Sequence, residues 1–200
     1  CCVIIGVIIG TVTLTSMGLN MGYLILSVVN NDNLYFTGLL VMIMSTILGM
    51  GVPGVAAYVI VQAVAVPVLI DAHAIPLTAH LFCLIYACLS NITPPVAMSP
   101  YVAAGIAGSD QTKTGLWAVR LGLIGFIIPF FFLDNPILLI GVDPTATAAG
   151  TAWATFTASL GTVSLVAGLE GWLLQKCTVF ERLILLAAGP AMLYPGILTD

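Results

Sequence analysis

Six stretches of this 200-residue chain carry no charged side chain: 1–31, 33–70, 72–109, 121–133, 144–169 and 183–199. A helix needs about 20 apolar residues to cross the hydrocarbon core of a bilayer, and several of these stretches reach or exceed that length. In lipid, backbone amides must be bonded within the protein, which makes helices the spanning form for continuous apolar runs. Only 6% of the residues are charged and 60% are hydrophobic, whereas a soluble domain carries roughly a quarter charged. A soluble globular domain and a disordered chain are therefore excluded. Four Lys and Arg in all cannot neutralise a phosphate backbone, so the expected surrounding is the lipid bilayer and no nucleic acid. The expected fold class is an all-α, polytopic membrane protein.

Residue 1 is Cys, and residues 1–28 read as a span without a basic leader or a small-residue cleavage site, unlike a signal peptide. The last apolar run continues to Thr199. The chain thus reads as a fragment of a longer polypeptide. Cys1, Cys2, Cys83, Cys88 and Cys177 have no metal-site spacing; Cys83 and Cys88 are expected on different faces of one helix, as small apolar packing residues.

The expected spans are 1–29, 113–133, 147–170 and 179–197. The first carries Gly6-x-x-x-Gly10 and Gly18-x-x-x-Gly22, a spacing that lets membrane helices approach closely. The last opens with Thr178-x-x-Glu181, a capping box. Lys113 and Arg120 against Lys176 and Arg182 leave the positive-inside count level.

Two segments depart from simple spans. Residues 34–66 would make a helix of about 50 Å, against a hydrocarbon core of about 30 Å. Gly49-Met50-Gly51-Val52-Pro53-Gly54 interrupts them, so residues 34–70 read as a broken helix pair with its joint at 49–54. Residues 76–108 hold two apolar arms of about 20 Å each, too short to cross. Between the arms lies Ser90-Asn91-Ile92-Thr93-Pro94-Pro95, where two prolines remove two donors and restrict the residues before them. This segment reads as a re-entrant helical hairpin with its tip at 90–95.

A break at membrane depth exposes carbonyls and helix ends that need partners. Unwound carbonyls can hold a small hard cation, and half-helix N-termini favour an anion. The first break offers carbonyls around Gly49, Met50 and Gly51; the second offers the oxygens of Ser90, Asn91 and Thr93. No Asp or Glu lies in either, and a neutral oxygen cage suits a monovalent ion such as Na⁺ better than Ca²⁺. Neither H-E-x-x-H nor G-x-S-x-G occurs, so no enzyme is expected. His73, beside Asp71, reads as an interfacial residue and His80 as a packed one. The alternative to an ion or solute site is a membrane structural or assembly subunit whose breaks only shape its packing.

Gly49-Met50-Gly51-Val52-Pro53-Gly54-Val55-Ala56-Ala57-Tyr58 and Leu89-Ser90-Asn91-Ile92-Thr93-Pro94-Pro95-Val96-Ala97 resemble the large membrane subunit of tripartite ATP-independent periplasmic (TRAP) transporters. The likeness is to the TAXI-type fused permease, in which small and large membrane subunits form one polypeptide. It extends through Ala79-His80-Leu81-Phe82, Val119-Arg120-Leu121-Gly122 and Phe180-Glu181-Arg182-Leu183. The resemblance implies a multi-pass secondary transporter of the cytoplasmic (inner) membrane, importing organic acids on a Na⁺ gradient and fed by a periplasmic TAXI-type solute-binding protein. It needs no cofactor beyond Na⁺ as coupling ion. It also implies an inverted repeat of which this chain is the C-terminal half, with the small-subunit helices and N-terminal half fused upstream.

By the same resemblance, Gly49, Met50, Gly51 and Pro53 shape one side of the Na⁺ and solute region, and Ser90, Asn91, Thr93, Pro94 and Pro95 form the tip. Gly49, Gly51, Ser90, Asn91 and Thr93 would be the Na⁺ ligands. Two positions depart from the family pattern: Gly54-Val55 stands where the family often has a hydroxyl pair, and Asn91 replaces a small residue.

Overall fold

The structure is a computed structural model and describes Thr11, Leu14, Thr15, residues 34–134, Leu139, residues 148–173 and residues 175–193. The described residues form α1 (Leu34–Gly49), α2 (Gly54–Asp71), α3 (Pro76–Leu89), a 3₁₀ turn (Ser90–Ile92), α4 (Met98–Ala107), α5 (Gln111–Asp134), α6 (Ala148–Glu170) and α7 (Val179–Leu193). Extended pairing among them is confined to an isolated bridge between Trp172 and Lys176. The expected span at 1–29, apart from Thr11, Leu14 and Thr15, lies outside the described residues, as do 194–197 at the end of the last one.

Among the described residues three helices are long and apolar enough to cross a membrane by length and composition: Gly54–Asp71, Gln111–Leu133 and Gly150–Glu170. A break at residues 50–53 separates α1 from α2, and α2 runs for 18 residues straight through Pro67, about 27 Å at 1.5 Å per residue. Membrane helices tolerate such a proline because neighbouring groups satisfy the freed carbonyl. α1, at 16 residues, is the shorter partner.

The chain divides into two compact units, Cys1–Phe130 and Phe131–Asp200. In the first, α1, α2 and α3 pack on one another around Val41, Val61, Leu69, Phe82 and Tyr86, all essentially inaccessible. Tyr58 of α2 and Nδ1 of His80 on α3 share a hydrogen bond of 2.8 Å. Cys83 is buried and Cys88 exposed, on the different faces expected of them. α5 begins at Gln111, two residues before the expected start, because Asp110 caps it: the Lys113 amide donates to Asp110 Oδ1 at 2.8 Å. Its Gly115, Gly122 and Gly125 lie against Tyr101, Ile92 and Leu89, so the hairpin tip is seated on the glycine face of α5.

Pro129 sits inside α5 and leaves the Gly125 carbonyl without its usual donor. At the same turn the Tyr86 hydroxyl donates to the Phe126 carbonyl at 2.7 Å. Phe82, Tyr86, Phe126 and Phe130 close around it, with Phe82 and Phe130 edge-to-face at 5.4 Å. Tyr86→Phe keeps these rings and removes one bond to a carbonyl. It is expected to destabilise the protein by about 1–2 kcal/mol, measured by denaturation in detergent, whereas an unchanged midpoint would mean the bond contributes nothing.

In the second unit α6 and α7 form an antiparallel pair. The capping box is present: the Thr178 amide donates to Glu181 Oε2 at 2.7 Å and the Glu181 amide to Thr178 Oγ1 at 3.4 Å. Arg182 turns away from Glu181, and its guanidinium donates to the Gly168 and Leu169 carbonyls, satisfying the C-terminal end of α6. The helices cross closely, since a Cβ at Gly161 would stand 2.9 Å from the Gly189 carbonyl oxygen.

Candidate functional site

The first break follows from its residue order. Gly51 takes φ +78°, a region glycine enters without a Cβ penalty. Pro53 has no N–H and sits extended at φ −56°, ψ 141°, steering Val52 away from helical backbone. The chain turns through Met50 N–H to Ile47 O and Val52 N–H to Gly49 O, both 3.3 Å, and α2 restarts with Ala57 N–H on Pro53 O at 2.9 Å.

The second break is a tip that fastens itself to α3. Ser90 Oγ donates to the Ala87 carbonyl at 2.7 Å, Asn91 Nδ2 to Cys88 O at 3.3 Å and Thr93 Oγ1 to Leu89 O at 2.9 Å. Three successive carbonyls at the end of α3 are thus capped by the residues expected to hold an ion. The tip reaches beyond its expected end at Pro95. The Pro94–Pro95 peptide is cis, Ala97 has φ +26° and α4 starts only at Met98. The Tyr101 hydroxyl donates back to the Pro95 carbonyl at 2.9 Å.

The two breaks meet. A Cβ on Gly49 would lie 2.6 Å from Ser90 Oγ, and one on Gly51 would lie 3.4 Å from Val96 Cγ1. Ser90 and Gly49 are buried, Met50, Gly51, Asn91, Thr93 and Pro94 half-buried, and Pro53 and Pro95 exposed. The structure therefore brings Gly49 and Gly51 together with Ser90 and the start of the second arm. Pro94 instead lies toward Gly115 of α5. Gly54, at one departure from the family pattern, faces Cys88, whose Sγ would stand 3.4 Å from an added Cβ; a small residue fits there.

Electrostatics at the junction come from backbone and hydroxyls. Two helices end there, α1 and α3, and their partial negative charge favours a cation; two begin there, α2 and α4, and favour an anion. Neither α2 nor α4 has a side-chain N-cap. A hydroxyl that has donated its one hydrogen keeps only lone pairs, so Ser90 Oγ and Thr93 Oγ1 offer acceptors alone. Among the described residues no group of three or more His, Cys, Asp or Glu could hold a metal ion. Sequence reasoning missed Val96, the Tyr101 bond and the glycine face of α5; only the last had a signal, in the 115, 122, 125 spacing of small residues.

A family model described as "Tripartite ATP-independent periplasmic transporter, DctM component" matches residues 2–144. The matched region contains both breaks. No curated protein and no solved structure matches the chain.

Proposed function

We propose, since the chain belongs to the DctM component family of tripartite ATP-independent periplasmic transporters, that the junction of its two breaks binds Na⁺ beside an organic-acid solute. Family membership makes it a multi-pass membrane component of a solute transporter, not an enzyme, and the family works with a periplasmic substrate-binding protein. The finer reading is a TAXI-type fused permease of the inner membrane, with this chain as its C-terminal half, residues 76–108 as a re-entrant hairpin, and a Na⁺ gradient driving import.

The observation that carries the reading is the contact of Gly49 with Ser90, at a point where the tip hydroxyls have already used their hydrogens. Lone pairs and two helix C-termini without a carboxylate suit a monovalent cation. The uncapped starts of α2 and α4 suit the carboxylate of the solute. Na⁺ thus supplies the charge that lets a carboxylate approach a region lacking basic side chains.

The test uses the complete transporter with its periplasmic binding protein in proteoliposomes. Uptake of an organic acid is expected with an inward Na⁺ gradient and not with K⁺, and Na⁺ is expected to protect the purified protein from protease. Equal uptake and equal protection in K⁺ would overturn the reading and favour a subunit whose breaks serve packing alone.

A further inference from the structure

Among the described residues one buried side-chain polar atom has no hydrogen-bond partner, the hydroxyl of Ser45. Ser45 is fully buried. Hydroxyls in helices ordinarily satisfy themselves by donating to a carbonyl one turn back, and those nearby do so. Thr46 Oγ1 donates to Met42 O at 2.8 Å, Thr78 Oγ1 to Ile75 O at 2.7 Å and Ser90 Oγ to Ala87 O at 2.7 Å. Ser45 makes no such bond to Val41. A buried hydroxyl without a partner keeps its desolvation penalty uncompensated, and the apolar interior of α1–α3 does nothing to offset it.

Its place in the fold gives the orphan a meaning. Ser45 precedes Gly49 by four residues, so both lie on one face of α1, about 6 Å apart along the axis. That face is the one Ser90 packs against. Side chains on a helix tilt toward its N-terminus, which sets the Ser45 oxygen one layer beneath the Gly49–Ser90 contact. We infer that Ser45 is a further polar group of the cation site: its hydroxyl donates to the free lone pair of a water on the ion, on the side of the ion away from the tip. Ser45 lies outside both breaks and carries no part of the motif that marked them. The inference rests on the Na⁺ reading of the junction and adds a residue to it.

The complete transporter is compared as wild type and Ser45→Ala, by thermal unfolding in NaCl or KCl and by uptake at graded Na⁺. In KCl, Ser45→Ala is expected to be as stable as wild type or more so, because the unmet hydroxyl is gone. In NaCl the Na⁺-induced stabilisation is expected to shrink, and half-saturating Na⁺ for uptake to rise about fivefold or more. Full uptake is expected to return at saturating Na⁺. A Ser45→Ala protein with the wild-type Na⁺ response overturns the assignment and leaves the junction reading intact. So does one that loses stability equally in both salts, which marks a packing role. A wild-type protein indifferent to Na⁺ removes the junction reading itself, and the Ser45 assignment with it.

Discussion

Gly49→Ala is expected to raise half-saturating Na⁺ for uptake at least tenfold and to destabilise the protein. The added methyl would stand 2.6 Å from Ser90 Oγ and 3.0 Å from Ser90 Cβ. Ser90 cannot swing aside, because it is fully buried and its hydroxyl is held on Ala87. Overpacking of this kind costs about 1–3 kcal/mol, and the relief available is to part the breaks. A loss of about 1.4 kcal/mol at an ion ligand is itself tenfold in affinity. Gly49→Ala combined with Ser90→Gly removes the clash and is expected to recover the fold without recovering Na⁺ affinity. The two readouts then separate the packing of the junction from its chemistry. Wild-type Na⁺ dependence in Gly49→Ala would show that the Gly49–Ser90 contact has no part in ion binding.

The tip carries the second large effect. Thr93→Val and Asn91→Leu are expected to abolish Na⁺-driven uptake while leaving the protein inserted in the membrane. Both side chains also cap carbonyls of α3, so each variant is expected to lose about 1 kcal/mol of stability in K⁺ as well. The separating measurement is the difference between Na⁺ and K⁺ in thermal unfolding. An ion ligand loses that difference, whereas a residue that only caps α3 keeps it. Thr93→Ser, which retains the hydroxyl, is expected to restore much of the Na⁺ response. Wild-type uptake in Thr93→Val and Asn91→Leu would remove the tip from the mechanism.

The breaks were legible because the residues causing them act locally. Gly51, Pro53 and the Pro94–Pro95 pair end helices through their own backbone chemistry, and α1, α2 and α3 stop or start within a residue or two of where those residues require. The capping box at Thr178 and Glu181 was legible for the same reason. What could not be read depends on distant residues. Nothing in the spacing of Gly49 and Ser90 places them in contact, and the orphaned Ser45 is visible only once its neighbours are seen to satisfy themselves. The second arm starts at Met98 and not directly after Pro95, because the turn through Thr93 and Ala97 closes on its own backbone after the prolines have passed.

The bond from Tyr86 to the Phe126 carbonyl and the seating of Leu89, Ile92 and Tyr101 against the glycines of α5 have a mechanical consequence. A carrier that shuttles its cargo between two compartments must shift some pieces and keep others in register. With the first arm latched to α5 at one level and the tip lodged against it at another, these parts are held in one register. Sliding α5 past the hairpin would strip a hydroxyl from its carbonyl and drive side chains into backbone fitted for glycine, so the hairpin and α5 resist displacement against each other.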